Sequence, residues 1–262
     1  MNSDFRLLFP VKIKLERQMI TMNFIEKGTA GILCLTLLGA CSFRTASDDL
    51  KGSKPLDGDP CLYTDAYAQL DPQTIELQER QVELMPEAFT AETLATQSTD
   101  IVLASVCSIT GGSNFNEAAQ SYVSPFTQGQ LKIIRSLKGS LEERQVIAYA
   151  RPGGIVSHTD WLLANPASNH VKTDQPEPAY IYEKIAEDID VEVGKVYLLY
   201  LSRSDETALD PDAYTILGYQ GGMREIQSQG QAEISAETPL SQIEVYSNVD
   251  QRWERLDSYF PG

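Results

Sequence analysis

Ile101-Val102-Leu103-Ala104-Ser105-Val106-Cys107-Ser108-Ile109 decides the fold. The run is nearly continuous in β-branched and apolar side chains, which reads as a strand covered on both faces over part of its length. Lys195-Val196-Tyr197-Leu198-Leu199-Tyr200-Leu201, entered through Gly194, has the same character. Between them Gln130–Leu137 alternates in part, with Leu131, Ile133 and Leu137 on one face. The turn Lys138-Gly139-Ser140 leads to a further strand at Gln145–Ala150, a hairpin or meander step. Gly111-Gly112 is expected to end the first strand, and Arg151-Pro152-Gly153-Gly154 the third. Ala213–Tyr219 follows a turn at Asp210-Pro211-Asp212, and Met223–Ile226 follows Gly221-Gly222, with a short strand beyond Gly230. The glycine pairs at 153–154 and 221–222 read as turns or bulges.

Around these strands the chain is more polar. Cys61 to Met85 reads as a partly ordered lead-in, and Pro86 to Ser98 as a helix with Pro86 at its first position. Ser113–Gln128 predicts a long loop, and His158–Glu192 a long polar insertion that carries the individuality of the domain. The tail from Leu240, with Ile243, Val245, Tyr246, Trp253, Leu256 and Phe260, predicts a helical turn or two packed on the barrel. Many short strands with long loops define an all-β fold with minor helix. The expected architecture is an OB-like Greek-key β-barrel with one helix before the first strand and a long loop insertion.

Upstream of the strands, Lys27 precedes an apolar run, Ala30 to Leu38, that closes on Leu38-Gly39-Ala40-Cys41. Roughly 20 apolar residues are needed to span a bilayer, and this run is shorter. The order of basic residue, apolar core, small residues and cysteine resembles a bacterial lipoprotein signal with its lipobox. That resemblance implies diacylglycerol on the Cys41 thiol, further acylation such as palmitate, and cleavage before Cys41. The alternative is a plain secretory signal with an incidental cysteine. Met22 stands where such a signal begins, so residues 1–21 read as a start-site artefact or an extra leader and 22–40 as the signal peptide. Residues 41–60, rich in Ser, Asp, Lys, Gly and Pro, read as a flexible tether, and 61–262 as the barrel domain.

The chain has 37 acidic and 21 basic side chains, of which the first 40 residues hold three and five; the rest carries a formal charge of −18. Such a surface repels nucleic-acid phosphates and anionic lipid heads. No nucleic-acid partner is expected. The expected contact with the membrane is the lipid anchor alone, on the extracytoplasmic face of the cell membrane, or the outer membrane in a two-membrane cell. Of four cysteines, Cys34 lies in the signal and Cys41 is its terminus, which leaves Cys61 and Cys107. In an oxidising compartment an even pair forms a disulfide, whereas Cys107 alone would serve as a small buried hydrophobe. Both readings stand at this point.

The pieces Asp100–Val106, Leu137-Lys138-Gly139, Arg151–Gly154, Gly194–Leu201 and Tyr219–Gly222 occur in an order that resembles a recurrent bacterial surface module. That module is similar to the OB-fold barrel of netrin-like and metalloproteinase-inhibitor-like domains. The likeness covers about Thr99 to Ile226. In the inhibitors of that family a free N-terminal cysteine chelates the target's zinc; here the lipobox resemblance implies a lipid on Cys41, and Cys61 is internal.

No phosphate-binding glycine loop, HExxH, GxSxG or EF-hand spacing occurs, and nothing calls for a cofactor. His158, Asp160 and His170 form the weak metal candidate of the insertion, with Glu183 as a fourth ligand. Ser157, His158 and Asp160 lie too close in sequence for triad geometry. Glu187–Glu192 reads as a solvated acidic face, with a calcium contact as the alternative although the Asx/Gly loop spacing is missing. Tyr197, Tyr200, Tyr214 and Tyr219 either form a ligand platform on the barrel or fill its core. The expected function is a non-catalytic binding module for a protein or cell-envelope partner. The alternatives are an inhibitor of an extracellular protease, by fold analogy, and a metal-dependent enzyme.

Overall fold

The computed structural model describes residues 61–81, 90–117, 119–170, 177–186, 188–203, 213–228, 233–248 and 251–260. The signal, Cys34, Cys41, the tether, Pro86 and the turns at 210–212 and Gly230 lie outside them. Among the described residues the strands and helices are β1 (Thr64–Asp65), β2 (Ile75–Arg80), α1 (Ala91–Gln97), β3 (Asp100–Asn116), β4 (Ser121–Lys138), β5 (Val146–Pro152) and β6 (Gly154–Ser157). They continue with α2 (His158–Ala164), β7 (Tyr180–Ile185), β8 (Val196–Ser202), β9 (Tyr214–Ile216), α3 (Tyr219–Gly222), β10 (Met223–Ser228), β11 (Ile243–Ser247) and β12 (Arg252–Arg255). No helix among these residues is long and apolar enough to cross a membrane.

Five of these strands close into a ring. β3, β4 and β5 form an antiparallel meander, β5 pairs in parallel with β9, β9 pairs with β8, and β8 returns to β3. This is the OB-like Greek-key barrel, and its closure removes exposed edges from those strands. The continuous apolar character of β3 follows from its place. Val102, Ala104 and Val106 point into the barrel with Leu131, Ile133, Tyr149, Tyr197 and Leu199. Ile101 and Leu103 point outward and are covered together with Leu94 of α1, Ile243, Val245 and Leu256. The barrel sheet runs on through β10 to β11 and β12.

Several expectations are corrected. β3 does not end at Gly111-Gly112, and Ser113–Gln128 is not a loop: β3 and β4 remain paired out to Asn116↔Ser121. Backbone hydrogen bonds hold this polar ribbon, which side-chain pattern alone does not reveal; Phe115 and Tyr122 pack edge to face across it. The insertion His158–Glu192 is not all loop either: it holds α2 and β7, and β7 lies between β2 and β6 in a second, three-stranded sheet. The β2–β7 pairing is parallel, and β2 precedes α1, so α1 is not ahead of every strand. The tail forms β11 and β12 with short 3-10 turns rather than packed helix. Gly221-Gly222 lies within α3.

Two local devices set the register. Cys107 sits at a register shift between Val106 and Ser108 and is joined to Cys61 in a disulfide spanning 46 residues. In the chain-entropy view a loop of that size contributes about 4 kcal/mol. It fastens the lead-in along β3, where β1 pairs in parallel, Thr64↔Ser108 and Asp65↔Ile109. Gly129 lets β4 pass close to β3: a Cβ there would lie 1.9 Å from the Ser108 carbonyl oxygen and 2.8 Å from Cε1 of Tyr149. Gly129→Ala is expected to lower unfolding stability by about 2 kcal/mol or more in urea titrations, because backbone rather than a flexible side chain must yield.

Candidate functional site

β5 carries the barrel's alternation one step past its apolar end. Ile147 and Tyr149 face the interior, and the next residue on that face is Arg151, only 5% exposed. A buried guanidinium needs a partner. Asp188 supplies it: Nη2 of Arg151 donates to Oδ1 at 2.7 Å, and the backbone N–H of Ile189 donates to the same oxygen at 3.0 Å. Burial nonetheless pushes the Asp188 carboxyl above the ordinary carboxylate range, against the pull of Arg151. Nε of Arg151 and the hydroxyl of Tyr149 are buried and have no hydrogen-bond partner among the described residues.

Arg151 lies in a cleft of about 210 Å³ between one end of the barrel and the small sheet. The lead-in forms one wall. Oδ1 of Asp65 accepts from the Tyr67 backbone N–H at 2.8 Å, and this turn sends Tyr67 toward the barrel. The Tyr67 hydroxyl accepts from the Ile155 N–H at 3.1 Å and lies 3.3 Å from Oγ1 of Thr127, which itself donates to the Gly153 carbonyl. One side chain thus joins lead-in, β4 and β6. Burial raises its pKa.

β7 forms the opposite wall. Tyr182 and Lys184, two apart on one face, both donate to Oδ1 of Asp190, at 2.6 and 2.8 Å. Desolvation opposes the charge on Asp190, but these two hydrogen bonds outweigh it and hold the carboxyl below its usual value. Burial, followed by the bond to Asp190, raises the Tyr182 hydroxyl far above the ordinary tyrosine value. Glu183 turns to the other face of β7. There it is buried and accepts from Nη1 of Arg80 at 2.8 Å and Nε1 of Trp161 at 2.9 Å. These pairs hold Arg151, Asp188, Tyr182, Lys184 and Asp190 in place, and the cleft presents both donors and acceptors.

The residues singled out in the sequence fall elsewhere. Ser157 caps α2: its hydroxyl accepts from the Asp160 N–H at 3.0 Å and donates to the Asp160 carboxylate at 2.6 Å. His158 stacks on Trp161, with Nδ1 3.9 Å from Oε2 of Glu177. The His170 side chain lies outside the described residues. Among those residues no group of three or more His, Cys, Asp or Glu is placed to hold a metal. The tyrosine platform is corrected: Tyr197 and Tyr200 are wholly buried and Tyr214 nearly so, because alternation on β8 sends Tyr197 inward and Tyr200 under α1 and the tail. Tyr219, half-buried, opens α3.

The acidic face is corrected as well, since Asp188 and Asp190 line the cleft; Glu187 lies outside the described residues. Asp188, Asp190, Tyr67, Tyr182 and Lys184 carried no signal in the sequence as read. Arg151 did carry one. It continues the inward alternation Ile147, Tyr149, Arg151, which the reading as a strand stop passed over.

Removing one member of a buried pair strands the other. Asp188→Ala is therefore expected to cost about 3–5 kcal/mol in chemical denaturation, while Arg151→Met with Asp188→Leu regains most of it. Burial also raises Tyr149, Tyr182 and Tyr197 well above their ordinary value. The unfolded chain loses these protons near pH 10 and the folded chain does not. Stability is thus fully present below about pH 10 and falls as the pH rises beyond it. Tyrosinate absorbance for these side chains is expected to appear together with unfolding rather than before it. No family model, curated protein or solved structure matches the chain.

Proposed function

We propose that this chain is a membrane-anchored extracytoplasmic lipoprotein, held by lipid on Cys41, whose OB-like barrel is a non-catalytic binding module for a cell-envelope partner. The observation that carries the binding role is the cleft around Arg151. Its ionic groups are tied to one another at 2.7 and 2.8 Å, which makes a stiff recognition surface. Groups so fully engaged are preorganised for contact rather than free for proton transfer. The order Lys27, apolar run, Gly39-Ala40-Cys41 supports the anchor, and the polar stretch 42–60 supports a tether. Two acyl chains hold a protein on a bilayer stably where one does not.

Cells expressing the chain and fed an alkyne fatty acid are expected to label it, with mature protein starting at diacylglyceryl-Cys41 by mass spectrometry. Cys41→Ser should abolish the label and move the protein from the membrane to the soluble fraction. An unmodified thiol at Cys41 in membrane-bound protein would remove the anchor from this reading.

A further inference from the structure

We infer that the cleft between the barrel and the small sheet binds one neutral, polyhydroxylated ring, a single sugar unit of an envelope polysaccharide. This rests on the binding role proposed above and names its ligand class.

The charge pattern excludes the simpler ligands. The cleft holds two cations, Arg151 and Lys184, and each is already bound to a carboxylate, Asp188 and Asp190. Asp65 adds a third carboxylate. An anion would face three carboxylates and would have to draw a cation from its partner. A cation would meet Arg151 and Lys184 directly. Either exchange gives up a paired interaction for a new one and gains little.

A neutral group that both donates and accepts fits the wall as it stands. Oδ1 of Asp190 receives Tyr182 and Lys184, and each carboxylate has further lone pairs for a donor. The Lys184 ammonium, which the structure pairs with Asp190, has three protons in all and lines the cleft as a donor. Donors and acceptors line the same cleft in bonded pairs, so a ligand that meets them must play both roles. Hydroxyls do so, and a ring carrying several of them side by side presents the matching series. The Tyr67 and Tyr182 rings line the same space and supply apolar area for the C–H face of such a ring.

Size agrees. At about 210 Å³ the cleft is smaller than the roughly 300–1,000 Å³ of drug-sized sites, which suits one ring rather than an extended oligomer.

The test is a titration of the intact protein, in a detergent without sugar headgroups, with glucose, N-acetylglucosamine, glucuronate and inorganic phosphate. Calorimetry gives affinity and amide NMR gives location. The neutral sugars are expected to bind at millimolar concentration and to shift the amides of Ile155 and Val191, both of which line the cleft. Tyr182→Phe and Asp190→Asn, both at the half-exposed rim and checked for folding by their amide spectra, should each weaken binding roughly three- to tenfold. Binding of glucuronate or phosphate in preference to the neutral sugars, with the same amides shifting, would overturn the ligand class and leave the cleft as a binding site. If no probe moves those amides, both the sugar and the cleft's binding role fall.

Discussion

Closure of the barrel between β3 and β8 is the constraint on which the rest depends. Asp100 to Ser105 pairs with Leu201 to Val196, and β3 is thereby hydrogen-bonded on both sides. A strand held on both edges and covered on both faces must be apolar throughout its middle. Its inward residues meet those of β8 in the barrel core, and its outward residues receive α1 and the tail. Asp100 at its start is buried and its Oδ1 accepts from the backbone N–H groups of Ser140 and Leu141, which pins the β4–β5 turn to the same strand. Once β8 is placed, β10 pairs with Tyr197–Leu199, the part of β8 that the short β9 does not reach, and β11 and β12 follow.

The same logic explains which parts of the fold the sequence disclosed. The ring strands were legible because each carries inward residues at period two or is apolar on both faces, as Val102/Ala104/Val106 and Tyr197/Leu199/Leu201 show. The small sheet was not. Ile75–Arg80 reads as a charged segment, and its pairing with Tyr180–Ile185 is parallel between segments far apart in sequence, so no turn signal joins them. β7 buries Glu183, which its two donors make tolerable, and a glutamate at an inward position conceals the alternation. The outer ribbon of β3 and β4 was hidden for another reason. Its stabilisation is in main-chain hydrogen bonds, and residues such as Gly112 and Ser113 belong to it through backbone geometry.

The cleft is assembled from the margins of these elements. Arg151 comes from the end of a barrel strand, Tyr67 from the lead-in, Tyr182 and Lys184 from an inserted strand, and Asp188 and Asp190 from the segment that returns the chain to β8. Each is ordinary in its local sequence. Their chemistry emerges only from the fold, which brings a buried cation to the barrel's end and obliges a carboxylate to meet it. That is why the acidic segment 187–192, which looks solvated in isolation, contributes one of the most buried carboxylates of the domain, Asp188.

The parallel pairing of β2 with β7 bears on the order of events during synthesis. β2 leaves the ribosome about a hundred residues ahead of the strand it needs. Contacts at such separation carry a large loop-closure entropy and form slowly. The meander β3–β4–β5, built from neighbours, has no such wait. The nascent chain therefore acquires the meander before either the second sheet or the closure of the barrel, since the β3–β8 pairing spans a separation similar to that of β2 and β7.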